Sequence, residues 1–523
     1  MEQRKQALAE RFVALPAGKR QEFLAVLRRQ GVDFGLLPIV PAPAEERLVL
    51  SAAQQRQWFL WQLDPQSAAY HIAGALRLRG HLDVGALEAS FQALVARHES
   101  LRTVFRADAN GLAEQVIHPA VTVRVPLMDL GSVPAQARDA HARDLALRLT
   151  REPFDLGSGP LLRVALLRLA DDEHLLVVTM HHIVSDGWSM QIIVNEFVAQ
   201  YRARVQGTAA TLPDLPVQYA DFALWQRHWL DAGEQQRQLA YWQNRLGSEH
   251  PVLQLPADHA RRATASYRAA KHAFDIPAPL VAALRRRVQQ EGGTLFAALL
   301  GGLQALLHRY TGQPDIRVGT LVANRQRPEV AGLVGFFVNT QVLSNRLGAD
   351  MPLQQVLQQA LDGVLEAQAH QDLPFDTLLD VLRPERGLSA NPLFQVLINH
   401  QQEDYQPSHD LPGLHVSGVD LGAAETDSRF ELMLDTVERA SGIVGVRMTY
   451  SADLFEASTV ERLGRHYLAM LQALADAADL PLGEVPLLSS EERTQLSAWG
   501  TNDERAAEVP LVHEAVQVHA RLR

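Results

Sequence analysis

His181-His182-Ile183-Val184-Ser185-Asp186-Gly187-Trp188 decides how the rest of this 523-residue chain is read. Just before it, Leu175-Leu176-Val177-Val178-Thr179-Met180 is a short apolar, partly β-branched run, the pattern of a buried strand. Just after it, residues 188–197 carry a helical pattern, so Asp186-Gly187 stands where a helix begins. Side chains alternate along a strand. His181 and His182 are therefore expected on opposite faces, with His182, nearer the turn, reaching any cavity. Residue types alone admit three uses: core or capping histidines beside a helix-capping aspartate, a metal site, or a group that accepts a proton. Adjacent histidines diverge on a strand, and no further His or acidic cluster follows at ligand spacing, so no metal is expected.

Composition narrows the chemistry. With 47% apolar residues the chain can bury a large core, and its length predicts several domains. A net charge of −11 argues against nucleic acid, which demands a basic surface. The absence of cysteine removes disulfides, cysteine–zinc sites and a thiolate nucleophile, and fits a reducing cytoplasm. No apolar run reaches the roughly 18–20 residues of a membrane span. Met1-Glu2-Gln3-Arg4-Lys5 opens a segment without the apolar centre of a signal peptide. The sequence reads as soluble and cytoplasmic, with no membrane partner. It has no glycine-rich phosphate loop with a Walker lysine, and Gly157-Ser158-Gly159 is not a nucleophile elbow. These absences point to direct transfer between two bound substrates, without ATP or a covalent Ser or Cys intermediate.

Outward from the histidines, the pattern falls into four stretches. Residues 1–44 read as a helical segment and linker, with two short helices over 6–31 broken at Leu15-Pro16, the second with Phe23, Val26 and Leu27 on one face and Gly31 at its C-cap. Residues 38–43 follow as a stiff extended linker, with a boundary near 45. Residues 45–225 alternate helix and strand; Asp83 can cap a helix whose apolar face is Leu87, Phe91, Leu94 and Val95. Residues 226–485 repeat the order: a helix near 278–291, a buried helix at 294–310, and the strand at 316–322. This half has Ala323-Asn324-Arg325 and no His-His turn, so the chemistry is expected to be one-sided. Residues 486–523 read as a polar linker through Glu508 and then a helix starting at Val512 that belongs to nothing earlier.

Seven motifs in order go further. They are Ser51-Ala52-Ala53-Gln54-Gln55-Arg56-Gln57-Trp58-Phe59-Leu60, the stretch 97–105, Met180-His181-His182 through Gly187, and Tyr219-Ala220-Asp221-Phe222-Ala223-Leu224-Trp225. Residues 318–325 with Gly335-Phe336-Phe337-Val338-Asn339-Thr340, His370-Gln371-Asp372-Leu373-Pro374-Phe375-Asp376 and Asn391-Pro392-Leu393-Phe394-Gln395 complete the set. With these the chain resembles the condensation domains of non-ribosomal peptide synthetases over roughly 45–485.

The resemblance implies an α/β (α+β) fold: two chloramphenicol-acetyltransferase-like lobes in a V-shaped pseudo-dimer with a tunnel between them. It implies two partners, an upstream donor and a downstream acceptor peptidyl carrier protein domain, each presenting its substrate on a 4'-phosphopantetheine arm. No cofactor is expected on the domain itself. The acceptor α-amine would attack the donor thioester. In that scheme His182 is base or orienting group, and the Gly187 amide is an oxyanion donor. His181 is structural, and Asp186 pairs with Arg325 to tie the lobes. Ser185, Trp188, Ser189, Asn339 and Asn391 are expected to line the tunnel. Tyr219, Trp225 and Trp58 are expected to pack in the core.

The first motif and the Ser185 form of the signature are most similar to domains joining an L-donor to an L-acceptor. A starter domain adding a fatty acyl chain is the close rival, because Met1 would put the domain first. An epimerisation domain and a catalytically silent recruitment domain are further alternatives. Residues 1–44 would dock an upstream protein or brace the domain. Residues 486–523 resemble the linker and truncated start of an adjacent adenylation domain, the whole being a monomer when excised.

Overall fold

The computed structural model describes residues 2–43, 46–261, 268–383, 391–402, 411–419, 421, 430–501 and 511–522. The expected boundary near 45 falls at 44–45, and the last part of the expected linker within 502–510, both outside the described residues.

The chain opens with α1 (Glu2–Ala14) and α2 (Ala17–Arg29), broken at Pro16 as the sequence predicts. Their packing differs in detail. Leu24 and Leu27 are buried while Val26 is exposed. The face is set by contact with the following segment, where Phe34, Leu37, Ile39 and Val40 are also buried. The segment 38–43 is therefore not a free linker; the Ala42 amide donates to Asp221. After it come α3 (Ala52–Leu63), β1 (His71–Gly80) and α4 (Val84–Arg97). Asp83 caps α4 by accepting from the Ala86 amide, and Leu87, Phe91, Leu94 and Val95 are its buried stripe. Next are β2 (Thr103–Ala107), β3 (Ala113–Ile117), β4 (Leu127–Asp129), α5 (Ala135–Arg151), β5 (Leu162–Ala170), β6 (Glu173–His181) and α6 (Gly187–Val205).

Helix α7 (Tyr219–Trp229) passes through a π-type turn into α8 (Gln235–Leu246). The expected division at 225/226 thus falls inside a helix. Beyond it lie β7 (Ala269–Ile276), α9 (Ala278–Gln290), α10 (Leu295–Thr311), β8 (Asp315–Val322), α11 (Pro328–Ala331), β9 (Asn339–Arg346), α12 (Leu353–Gln368) and α13 (Phe375–Leu382). The chain then forms β10 (Val396–Gln402), β11 (Leu414–Gly418), β12 (Leu432–Glu438), β13 (Val444–Ser451), α14 (Ala457–Asp476), α15 (Ser490–Gly500) and α16 (Val512–Arg521). The polar stretch after 486 is helical in part, because Ser489 and Glu492 form a reciprocal cap and Glu492 also meets His466.

Among the described residues the strands form two main sheets, in the orders β11-β1-β6-β5-β4 and β7-β13-β12-β10-β8-β9, with β2-β3 a separate hairpin. In the first, β6 lies antiparallel between β1 and β5, and His71 faces His181 across the ladder. In the second, β10 is parallel to both β8 and β12. Strand β11 comes from the second half of the sequence yet pairs with β1, so the sheets do not follow the sequence division strictly.

Helix α10 is buried on nearly every side against the second sheet. Gly302 lets α14 approach it, since a Cβ there would stand 2.6 Å from Leu471. A third apolar cluster joins α1, α2, Phe34, Leu37 and Ile39 to Trp225 and Trp229 of α7 and to Val330, Leu333 and Phe337. Its members come from residues 9 to 337, so the N-terminal pair of helices shares a core with α7 and the 330–337 segment.

Phe12 is fully buried in that cluster, 4.4 Å from the Phe34 ring. Phe12→Ala is expected to cost about 3–5 kcal/mol, as for other buried phenylalanines. Urea denaturation measures this; a cost below about 1 kcal/mol would mean that the first helix is peripheral.

Candidate active site

Strand β6 ends at His181, and the chain at once enters a 3₁₀ turn, His182–Val184. The two histidines do diverge, but the turn separates them rather than strand alternation. His181 is 3% exposed and its Nδ1 accepts from the Ile183 amide at 3.1 Å. Burial, with His71 and His182 as further contributors, pushes its pKa down to about 3, so it is a neutral scaffold residue. His182 is half-buried. Its amide donates to the Tyr70 carbonyl at 2.8 Å, and its Nδ1 lies 3.0 Å from the Ser185 carbonyl. A carbonyl only accepts, so Nδ1 carries a hydrogen, and in the neutral ring the lone pair is then on Nε2. The Phe336 ring packs 5.1 Å from the imidazole, centroid to centroid.

Asp186 has no exposed surface. As N-cap of α6 its Oδ1 accepts from the Ser189 amide at 2.8 Å and lies 2.7 Å from the Ser189 hydroxyl. Arg325 Nη2 approaches both carboxylate oxygens, at 3.1 and 3.3 Å, and the Phe337 amide donates to Oδ2 at 3.0 Å. Arg325 follows β8 because Asn324 takes a left-handed conformation, φ 53°, which asparagine tolerates better than most residues. The Arg325 side chain is 2% exposed; Nη1 donates to the carbonyls of Val330 and Leu333, and the guanidinium lies 4.0 Å over the Phe337 ring. Burial lowers its pKa and Asp186 opposes that shift. The Asp186–Arg325 pair is therefore a buried tie in which both Nη atoms are bonded and only Arg325 Nε lacks a partner among the described residues.

The expected tunnel residues separate into different roles. Gly187 is exposed in the first turn of α6, with nothing near the position a Cβ would occupy. Trp188 is also exposed, and its indole donates to the Ala331 carbonyl at 3.2 Å. Ser189 corrects the expectation: it is fully buried, and its hydroxyl is shared among Asp186, Arg325 and both polar groups of Gly335. Ser185 is likewise fully buried, so neither serine presents a surface. Asn339 is half-buried and its side chain has local partners. Its amide donates to the carbonyls of Gln371 and Leu373 and its oxygen accepts from the Phe375 amide, so it pins the loop before α13. Asn391 shapes a turn, its side chain accepting from the Leu393 amide.

Sequence reading missed one cluster. Ser51 caps α3 with Gln54, whose side chain reaches the Ile183 carbonyl inside the histidine turn. The capping box was readable at Ser51-x-x-Gln54, but the contact across 129 residues was not.

Against known proteins, a family model described as Condensation domain matches residues 44–497. The chain belongs to the condensation-domain family. It is 42% identical over 480 residues, 92% of its length, to one of the linear gramicidin synthase proteins of Brevibacillus parabrevis, of which it spans 6%. It is 40% identical over 484 residues, again 92% of its length, to a chondramide synthase of Chondromyces crocatus, of which it spans 12%. The X-domain from teicoplanin biosynthesis is 30% identical with a TM-score of 0.75, covering 86% of this chain and all of that one. The first condensation domain of the calcium-dependent antibiotic synthetase matches in fold, with a TM-score of 0.66 at 21% identity, covering 85% of this chain and all of that one. The fold is thus the chloramphenicol-acetyltransferase-like α+β fold of condensation domains. The general function of this family in non-ribosomal peptide synthetases is amide-bond formation between carrier-bound substrates, an acyl transfer. Among the described residues no helix is long and apolar enough to cross a membrane.

Two predictions come from this geometry. Arg325→Met leaves a buried carboxylate without its counter-charge and is expected to cost about 3–5 kcal/mol. Adding Asp186→Asn should recover part of that loss in a double-mutant cycle; strictly additive losses would refute the tie. His181 has its folded-state pKa pushed below the unfolded value near 6.5. Its contribution is fully present above pH 6.5 and is lost as pH falls toward 3, at about 1.4 kcal/mol per pH unit. His181→Asn keeps an acceptor for the Ile183 amide and should flatten that acid limb in pH-dependent denaturation. An unchanged limb would mean that His181 is not the group being protonated.

Proposed function

We propose that the chain joins a donor aminoacyl or peptidyl thioester to the α-amine of an acceptor aminoacyl thioester, each held on the 4'-phosphopantetheine arm of a carrier domain. The observation that carries this reading is the orientation of His182: Nδ1 bonded to the Ser185 carbonyl, the lone pair on Nε2, and the ring half-buried against Phe336. A thioester is already activated, so holding amine and carbonyl together supplies much of the acceleration; effective molarities of about 10⁵–10⁸ M are known for well-oriented pairs. An α-amine has a pKa of about 7.7–8.0 and must give up or share a proton as it attacks, which a neutral imidazole accepts. The carbonyl oxygen then becomes an oxyanion, and the Gly187 amide, at the positive end of the 19-residue α6, is positioned to stabilise it.

In this proposal an upstream carrier brings the donor, a downstream carrier the acceptor, and both reach the seam between the sheets through a tunnel. The donor and acceptor are of the L configuration. Residues 45–225 and 226–485 act as the two lobes, and residues 486–523 lead toward an adjacent adenylation domain. Residues 1–44 brace the domain, a reading supported by the core that α1 and α2 share with α7.

A second reading has one supporting observation, the 30% identity to a teicoplanin X-domain whose structure is described in complex with OxyB. In that reading the fold serves recruitment and no bond is made. The ordered His182 turn favours chemistry.

Incubation of the purified chain with two loaded carriers, followed by mass spectrometry of the acceptor carrier, tests the proposal. Dipeptidyl carrier is expected, and His182→Ala should lower its rate by about 10²–10⁴-fold with an unchanged melting curve. Normal turnover by that variant would refute the role of His182. Absence of product from the wild type with carriers of matched specificity would favour recruitment.

A further inference from the structure

The Phe336–Phe337 peptide is held from both ends, and one of its holders has no role in the acyl transfer itself. Its N–H donates to Asp186 Oδ2, and its carbonyl accepts from the Tyr219 hydroxyl at 2.5 Å. Tyr219 is 1% exposed at the start of α7, and burial raises its pKa, so the phenol keeps its proton. A phenol has one hydrogen to donate. Because a carbonyl can only accept, that hydrogen goes to Phe336, and the 2.8 Å contact between Tyr219 and Ser51 must run from the Ser51 hydroxyl to the phenol oxygen. Ser51 in turn accepts from the Gln54 amide at 3.1 Å. The result is a directed chain: Gln54 N–H to Ser51, Ser51 O–H to Tyr219, Tyr219 O–H to the Phe336 carbonyl.

These bonds end on the residue that touches the imidazole. The Phe336 ring is the one that packs on His182. The ring of Tyr219 also packs edge-on against Phe337, 4.8 Å between centroids, and occupies the space beside Gly335, where a Cβ would stand 1.9 Å from it. Turning the 336–337 peptide would break its bonds to Tyr219 and Asp186 together, and would carry the Phe336 ring off His182.

We propose that Tyr219 is a positioning residue for the reaction: with Ser51 behind it and Asp186 opposite, it locks the Phe336–Phe337 peptide and so holds the Phe336 ring against His182. The proposal rests on the condensation reading for its catalytic consequence, but not for the physical link from Tyr219 to His182.

The test is Tyr219→Phe, which keeps the ring beside Gly335 and deletes only the hydroxyl. Dipeptidyl-carrier formation should fall about tenfold in kcat, a factor that corresponds to about 1.4 kcal/mol, with KM for both carriers within about twofold. Histidine ring signals of His182, assigned by loss in His182→Gln, should move by NMR because the neighbouring aromatic ring is released. Ser51→Ala, which cuts the run of hydrogen bonds at its middle, should shift both readouts in the same direction by less. Leu24→Ala, in the same apolar cluster but outside that run, controls for stability: it should lower the melting temperature while leaving kcat and the His182 signals in place. Unchanged kcat and unchanged His182 signals in a folded Tyr219→Phe protein overturn the proposal. Moved signals with unchanged turnover overturn its catalytic part. A wild type that makes no product, while Tyr219→Phe still moves the His182 signals, overturns the proposed function and leaves the positioning link standing.

Discussion

A carboxylate with no exposed surface organises this molecule. Taking an ion out of water costs several kcal/mol unless charge and hydrogen bonds replace the water. Asp186 is supplied from three places: its own helix through Ser189, the turn after β8 through Arg325, and the approach to β9 through Phe337. None of these donors can be withdrawn cheaply, since each would leave a buried group unmatched. The start of α6 and two segments more than 130 residues further along the chain are therefore fixed relative to one another by a single charge. The requirement is geometric as much as energetic, because the carboxylate fixes where each donor must stand.

The histidine turn inherits that rigidity, and its His182 ring is only half-buried. Asp186 caps α6, and the same cap places Gly187 outward and Ser185 inward. The Ser185 carbonyl then holds the His182 ring. A half-buried imidazole on so constrained a turn has few orientations, which is what a reaction governed by positioning needs. His181, one residue earlier, is spent on the scaffold and kept neutral by burial. Adjacent identical residues have opposite roles because the strand ends between them.

The signal at the histidine turn was legible because it is local. An apolar run, a cap and a glycine are features of a few neighbouring residues, and Asp83 with its apolar stripe was readable for the same reason. What failed depended on partners far along the chain. Val26 fits the helical period as well as Leu24 does; only the position of Phe34 and Trp225 decides which is buried. Ser189 carries a hydroxyl equally suited to a substrate or to a backbone, and burial commits it to Asp186, Arg325 and Gly335. Tyr219 was read as packing, which its ring does; its hydroxyl has a separate partner that no periodicity encodes. The pairing of Asp186 with Arg325 came from family resemblance, since 139 residues separate them.

The two halves divide the work at the seam. Strand β6 ends in a turn that presents an imidazole, whereas β8 ends in Ala323-Asn324-Arg325, where the left-handed asparagine sends an arginine inward instead. One strand end supplies the imidazole, and the other supplies the counter-charge of the carboxylate that caps the next helix. The arrangement has a consequence for the region between them. Gly335, Phe336 and Phe337 must satisfy Ser189, Tyr219 and Asp186 at once, with no room for a Cβ at the first of the three. Such a segment cannot adjust to a poorly placed neighbour by bending. Any loosening there passes directly to the Phe336 ring, and from that ring to His182.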